Sequence, residues 1–326
     1  LPVSRRADAV VVVEASEWVE MFRISPNSYQ MDPDIKHPYM NQFTVGIERE
    51  LFRDTSFGVT YINRKWNNII GRYDRAGDYV TRTVTSTYLP GQTFTVYERT
   101  DETVDLTDFI ITNLEQSDEL RWILTDVYRN YEGLEFLFNK RFSNRWQLLA
   151  SYVYSKATGT RDNTMGSDLG WGANPSDPNS YINTEGTLTN DPTHMIKLQG
   201  SYILPFDISF NAYFRGITGN AWTTRARTSR FNQGRITFLA EPRGANHYPM
   251  QKILDLRLEK IFTLARKYRL GLMVDVFNVF NADTISSWGT RIGYDWTPGD
   301  YPSTDGHSLY GIVGPRQARV GIRLIF

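Results

Sequence analysis

The chain closes with Arg319-Val320-Gly321-Ile322-Arg323-Leu324-Ile325-Phe326, a stretch in which apolar and polar side chains alternate. Successive side chains of a β-strand point to opposite faces of the sheet. One face of this stretch would therefore carry Val320, Ile322, Leu324 and Phe326, and the other Arg319, Gly321 and Arg323. The pattern predicts a strand with one side toward lipid or a core and the other toward water.

Further segments with the same alternation come in pairs, and each pair is joined by a short turn. They cover residues 41–50 and 56–62, 133–139 and 146–154, 196–204 and 208–215, and 254–259 and 270–276. The tightest predicted turn contains Pro205 and Phe206. The alternation breaks over Phe277 to Phe280, for which a β-bulge is the expected cause. With the closing strand, we count about nine strands of the roughly 10 residues that a membrane-spanning strand needs.

Long segments rich in Gly, Asn, Asp, Pro and Thr separate these pairs, at residues 71–126, 159–191, 225–250 and 282–315. Short turns that alternate with long loops are typical of an outer-membrane β-barrel, whose turns are periplasmic and whose longer loops are extracellular. A soluble β-sandwich rarely inserts a long loop at every second connection. The fold class predicted is all-β, an antiparallel transmembrane barrel segment, with a soluble β-sandwich binding module as the alternative.

The composition excludes several classes of protein. Lys plus Arg equal Asp plus Glu at 36 each, so no net charge would attract nucleic acid. The absence of cysteine removes disulfides, thiolate zinc sites and cysteine nucleophiles. Apolar runs such as Ala9 to Val13 are far shorter than the roughly 18 residues of a spanning helix. A membrane crossing would therefore have to be made by strands.

Aromatic residues make up 14% of a chain whose mean hydropathy is only −0.42. This profile suits a barrel with aromatic girdles, a thin apolar band and a polar lumen. We expect rings at strand ends to form these girdles. The residues in question are Tyr61, Trp66, Trp146, Tyr152 and Tyr154.

Several stretches resemble the C-terminal β-barrel portion of a TonB-dependent outer-membrane receptor of the Oar-like type. The likeness is carried, in order along the chain, by residues 33–50, 131–136, 139–146, 151–157, 275–281 and 314–321 before the terminal Phe326. The closing stretch, with Arg319, Gly321, Leu324 and Phe326, resembles the assembly signal of bacterial outer-membrane barrels.

The resemblance implies a 22-stranded barrel in the bacterial outer membrane that imports a large or scarce ligand, such as a carbohydrate or siderophore. It implies contact with outer-membrane lipid and the barrel-assembly machinery, and with TonB through a plug domain that this sequence lacks. Residues 1–40 would be a loop or strand remnant and 41–326 the C-terminal part of the barrel. Since the chain starts at Leu1, we expect a piece of a longer protein. A free-standing small outer-membrane protein with a structural or adhesive role is the alternative.

Nothing in the sequence predicts an enzyme, a cofactor or a resident metal. The four histidines lack metal-ligand spacing, and no Ser-His-Asp arrangement is evident. Loop carboxylates could bind calcium, although the regular calcium-loop spacing is missing and solvated turn residues are favoured. These carboxylates are Asp162, Asp168, Asp177 and Asp191.

The long loops also carry rings that could stack on an oligosaccharide or another small molecule at the extracellular mouth. Trp171, Trp222, Trp288 and Trp296 are the candidate ligand contacts, with Tyr181, Tyr248, Tyr294 and Tyr301 as further loop rings. The alternative is that these rings pack the loops against each other.

Overall fold

The computed structural model describes residues 29–86, 89, 91–162, 176–264, 268–293 and 309–325. Residues 1–28 of the predicted loop or strand remnant, together with Trp171, Trp296 and Phe326, therefore lie outside the described residues. The same holds for Asp168, Tyr294 and Tyr301.

The described residues form an all-β structure, as predicted. The strands are, in chain order, β1 Tyr29–Met31, β2 Tyr39–Phe52, β3 Thr55–Asn67, β4 Ile70–Asp74, β5 Tyr79–Thr85, β6 Thr93–Arg99, β7 Phe109–Asn113, β8 Arg129–Ser143, β9 Trp146–Gly159, β10 Gly186–Thr187, β11 His194–Leu204, β12 Ile208–Ile217, β13 Ala221–Trp222, β14 Arg225–Phe231, β15 Gly234–Leu239, β16 Asn246–His247, β17 Gln251–Leu264, β18 Tyr268–Phe277, β19 Ile285–Trp288, β20 Arg291–Gly293, β21 Leu309–Ile312 and β22 Gln317–Ile325. Short 3-10 segments lie at Pro178–Tyr181 and Pro205–Asp207. Among the described residues, no helix is long and apolar enough to cross a membrane.

One large antiparallel sheet dominates the structure. Its strands follow the order β2-β3-β8-β9-β11-β12-β17-β18-β22, so each pairs with the next along this path. They range from 9 residues in β22 to 15 in β8, which matches the length that crosses a bilayer at a tilt. Within the described residues, β2 and β22 are the two ends of the path.

The strand register places the apolar side chains on one face of this sheet. One cross-strand row runs through Phe57, Phe138, Ala150, Leu198, Phe214 and Leu254. In β22, Val320, Ile322 and Leu324 continue the apolar face beside Val274, Leu272 and Leu270, and they remain 57 to 75% exposed. An apolar face left this open suits a lipid environment.

The apolar band ends before the strands do. Tyr61, Leu134, Tyr154 and His194 form its last row on this side of the sheet. The next row is polar, with Asn63 donating to Glu132 at 3.2 Å and Lys156 beyond.

The prediction that the girdle rings sit at strand ends is therefore wrong for Tyr61, Tyr152 and Tyr154. These rings lie inside strands that continue past the apolar band. Trp146, the first residue of β9, and Trp66, near the end of β3, do occupy strand ends. Beyond the apolar band the alternation vanishes, so the sequence could not show where each strand ends.

Short turns and long loops alternate, as predicted. At one end of the sheet, residues 53–54, 144–145 and 205–207 connect neighbouring strands, and residues 265–267 separate β17 from β18. At the other end lie the described residues of loop 1 (68–128), loop 2 (160–193), loop 3 (218–250) and loop 4 (278–316). The prediction that Pro205 and Phe206 form the tightest turn is wrong, because that turn has three residues and those at 53–54 and 144–145 have two. Phe206, at φ 63°, and Asp207, at φ 55°, adopt a conformation that ordinary side chains rarely adopt.

The long loops are more ordered than predicted, because they contain short strands and two hydrophobic clusters of their own. Within them β14 pairs with β20 in parallel, and β7 of loop 1 pairs in parallel with β1, which precedes the large sheet. The first cluster comprises Ile69, Tyr73, Leu114, Ile123, Val127 and Tyr181. The second comprises Val96, Ala226, Ile236, Phe238 and Ile292. Strands of two to seven residues are too short to reveal themselves by alternation.

The bulge predicted over Phe277 to Phe280 is absent. The β18–β22 register runs without a shift from Arg269 opposite Ile325 to Phe277 opposite Gln317, and β18 then ends. Asn278, at φ 50°, begins the loop and hydrogen-bonds through its side chain to Ala282 and to the carbonyl oxygen of Gly314. The alternation breaks because the strand stops.

Candidate functional site

Loops 2, 3 and 4 line a half-open cavity of about 350 Å³, here called the aromatic cavity. Its volume lies at the lower end of the range for small-molecule sites. Its walls include Trp222 from β13, Tyr248 after β16 and Trp288 from β19. The structure thus brings two of the four predicted tryptophans together, while Trp171 and Trp296 lie outside the described residues.

The three rings of the aromatic cavity touch one another. Trp288 meets Trp222 edge to face at a centroid distance of 5.4 Å, and meets Tyr248 in the same manner at 5.2 Å. Trp222 and Tyr248 are tilted by 31° at 6.0 Å. All three side chains are only partly buried, so they stand between the loop interior and the cavity. They contact one another across loops 3 and 4 and they also line the cavity, while their role as ligand contacts stays a prediction.

Local pairing fixes the positions of these rings. Trp222 lies opposite Asn246 in the β13–β16 pair. Tyr248 follows Asn246 by two residues, so this pairing brings it near Trp222. The hydroxyl group of Tyr248 is 3.3 Å from both the backbone nitrogen and the backbone oxygen of Trp288, accepting from the first and donating to the second. Burial raises the pKa of this phenol, so it stays protonated and able to donate. The ring arrangement is therefore built into the protein.

Two arginines also line the aromatic cavity. Arg243 donates to the backbone oxygen of Thr160 at 2.7 Å and pairs with the Asp162 carboxylate at 2.5 Å. Arg225 donates through Nε to the hydroxyl of Thr290 at 3.1 Å, and Arg291 is its partner in the neighbouring strand. Burial lowers the pKa of both guanidinium groups, and the positive charge of Arg291 adds to this effect at Arg225. Arginine nevertheless stays charged, and the charge of Arg243 is balanced by the Asp162 carboxylate.

The remaining predicted loop groups serve the loop interior. Tyr181 is 4% exposed and belongs to the first hydrophobic cluster. Asp162, Asp177 and Asp191 lie apart: Asp162 pairs with Arg243, Asp177 accepts from the backbone of Asn179, and Asp191 accepts from the backbone of Ala157. Asp191 is buried, so the expectation of a solvated turn residue is wrong there. In the part of the chain that the structure describes, no group of three potential metal-ligating side chains is present.

The predicted assembly signal lies on β22, where its polar members face other charges. Arg319 bonds to Asp275 at 2.8 Å, and Asp275 also pairs with Arg257 of β17 at 2.5 Å. Arg323 pairs with Glu259. Gly321 lies against Met273, whereas Leu324 is on the apolar face opposite Leu270. Phe326 is outside the described residues.

Sequence reasoning missed much of the cavity wall. The two arginines and a set of hydroxyl side chains carry no local pattern, because they come from three loops that are distant along the chain. The members of that set are Thr187, Thr189, Thr223, Ser286, Ser287 and Thr290. Of the cavity wall, the aromatic residues Trp222, Tyr248 and Trp288, unusual in Gly- and Asn-rich segments, gave a signal.

The chain is similar to known proteins in its sequence. It is 23% identical to the TonB-dependent transporter Oar of Myxococcus xanthus over 91% of its own length. The chain spans only 29% of the length of that relative. The expected likeness to an Oar-like receptor is thereby confirmed.

The fold also has a counterpart among solved structures. The outer membrane transporter YddB from Escherichia coli matches with a TM-score of 0.50 at 12% sequence identity. The match covers 91% of this chain and 34% of the YddB chain.

A family model described as "Outer membrane beta barrel domain" matches residues 13–223, which is more than half of the chain. Its match covers β2 to β13 and thus most of the large sheet. The chain therefore belongs to the outer membrane beta-barrel domain family and resides in the bacterial outer membrane.

Proposed function

We propose that the chain forms the C-terminal barrel part of a TonB-dependent transporter that imports a large or scarce ligand. The observation that carries this proposal is the likeness to the Oar transporter along 91% of the chain. The sheet supports it, since it combines strands of membrane-spanning length with an apolar face and a charged face. The proposal is one of transport and not of catalysis, because the relative is a transporter.

In this role the two faces of the sheet have different partners. The apolar face with Val320, Ile322 and Leu324 contacts outer-membrane lipid. The charged face with Arg257, Asp275 and Arg319 lines the lumen, where ions are tolerated and can hold neighbouring strands together. Loops 1 to 4 are extracellular, and the ligand first meets the protein there. TonB acts from the periplasm through a plug domain, and the complete barrel has 22 strands.

A binding experiment tests the link to TonB. The full-length natural protein, purified in detergent, should bind the periplasmic domain of TonB from the same organism in a calorimetric titration. A porin purified in the same detergent serves as the matched control and should not bind. A heat signal no larger than that of the porin would overturn the proposal and favour a structural or adhesive outer-membrane protein.

A further inference from the structure

The aromatic cavity has walls suited to one class of ligand. Trp222, Tyr248 and Trp288 offer flat apolar surfaces whose rings are held by one another and by the Tyr248 hydroxyl. Aromatic faces give large contact area at little entropic cost, provided that the ligand has a flat apolar side. The C–H face of a pyranose ring is such a surface.

The rest of the wall is rich in hydroxyl groups. The lining includes six Ser and Thr side chains, spread over loops 2, 3 and 4. A hydroxyl both donates and accepts, so it suits a partner whose groups do the same. Thr290, for example, accepts from Arg225 and retains its proton for donation. Flat apolar surfaces beside dense hydroxyl groups match the two kinds of surface on a sugar.

The charged groups in the wall of the aromatic cavity further restrict the class of ligand. Among the described residues that line the aromatic cavity there are two guanidinium groups and no carboxylate. A protonated amine would give up hydration there without a lining carboxylate to pair with, since the nearby Asp162 is already paired with Arg243, and this costs binding free energy. A cationic ligand is therefore disfavoured, while neutral sugars meet no such penalty.

The cavity is also preformed. Gly244, at φ 67°, packs so closely that a Cβ atom there would lie 2.4 Å from the backbone oxygen of Thr187. The Thr223 hydroxyl accepts from the Gly244 backbone at 2.6 Å, and this ties the two ends of loop 3 together. A site whose walls are fixed before binding loses little entropy when the ligand enters.

We propose that the aromatic cavity binds an oligosaccharide with neutral rings, one of which stacks on the Trp222–Tyr248–Trp288 wall. The inference rests on the proposed function, because it takes the loop end of the barrel to be where the transported ligand is first bound. It names the substrate class that the resemblance to a transporter leaves open.

Calorimetric titration of the full-length natural protein in detergent tests the proposal. Maltotriose, cellotriose and xylotriose are the neutral probes, and glucosamine trisaccharide, whose amines are protonated at mildly acidic pH, is the cationic probe. We expect at least one neutral probe to bind, and the cationic probe to bind about tenfold more weakly or worse. Ferrichrome is a further probe, because siderophore import is the competing substrate class. Binding of ferrichrome without any neutral sugar would overturn the proposal, as would binding of none of the probes.

Variants of the wall localise the binding. Trp288→Ala should reduce the affinity for the neutral probe by about tenfold or more. Trp288→Phe should reduce it by less, because a ring remains. Phe206→Ala, which removes an exposed ring at the opposite end of the sheet, is the matched control and should bind like the natural protein. Ser287→Ala removes only a lining hydroxyl and should also weaken binding of the neutral probe. It replaces Trp288→Ala as the test if that variant fails to fold. Unchanged affinity in Ser287→Ala and in a folded Trp288→Ala, or in Ser287→Ala alone if Trp288→Ala does not fold, would refute this site.

The two proposals can fail separately. Sugar binding is measured without TonB, so a protein that binds sugar but not TonB would overturn the transport proposal alone. A protein that binds TonB but no sugar would overturn the substrate class alone.

Discussion

At the scale of single residues, Asp191 shows how the loop interior holds an acid out of water. Its side chain is 2% exposed and accepts from the backbone of Ala157 at 2.7 Å. Burial raises the pKa of this carboxyl from its ordinary 3.8 to about 6. The folded protein therefore holds the proton more tightly than the unfolded chain, and folding stability falls as pH rises from about 4 to about 6.

Asp191→Asn should remove this pH dependence. An amide oxygen can still accept from Ala157, while the charge that burial penalises is gone. Relative to the natural protein, the variant should gain at most about 3 kcal/mol between pH 4 and pH 7. Thermal unfolding in detergent at both pH values measures it, with the exposed Asp283 changed to Asn as control. Equal pH dependence in all three proteins would show that the buried carboxyl does not control it.

Gly244 is a second residue whose identity is dictated by its surroundings. Gly244→Ala would place a Cβ atom in a left-handed backbone and 2.4 Å from the Thr187 oxygen. Gly234→Ala shares the positive φ, at 93°, but its Cβ would meet nothing within 4 Å. We expect the free energy of unfolding to fall by about 1 kcal/mol in the control Gly234→Ala and by about 2 to 4 kcal/mol in Gly244→Ala. Urea unfolding monitored by tryptophan fluorescence compares the two, and similar losses would mean that the close contact relaxes.

At the scale of elements, adjacent residues of β18 face different surroundings. Val274 lies between Leu258 and Val320 on the apolar face, whereas Met273 lies between Glu259 and Gly321 on the charged face. Val274→Arg should therefore destabilise the barrel by up to about 2 to 4 kcal/mol, and Met273→Arg by about 1 kcal/mol or less. The folded fraction in lipid vesicles under increasing urea measures both. A larger loss for Met273→Arg would reverse the assignment of the two faces.

The elements also show what the sequence can and cannot reveal. β22 was predictable because Val320, Ile322 and Leu324 alternate with polar residues along the strand. This alternation arises because every second side chain faces the apolar side of the sheet. β14 was not, since Arg225 to Phe231 lies in a loop where no face is continuous and each side chain meets a different neighbour. The tryptophans of the cavity could be proposed as ligand contacts from their residue type alone. Arg225 and Ser287 could not, because no local pattern marks them. Long-range packing, absent from local patterns, selects those positions.

At the scale of the whole molecule, the closing residue is predicted to act in assembly. Deleting Phe326 should reduce insertion of the barrel into the outer membrane, because the resemblance makes it part of the assembly signal, while synthesis stays intact. Heat-modifiable mobility on gels of outer-membrane fractions measures the folded amount. Phe326→Tyr keeps a ring and should assemble normally. Unchanged folded protein after the deletion would speak against this role.

The second hydrophobic cluster ties the whole set of loops together. Val96 comes from loop 1, Ile236 from loop 3 and Ile292 from loop 4, and the partly buried Ile182 of loop 2 packs against them. In a chimaera that receives only one foreign loop, the side chains of that loop would not fit those of the other three in this cluster. New recognition properties should therefore be transferable between related receptors only by exchanging all four loops as a single cassette, and natural recombination that respects this boundary should yield folded hybrids.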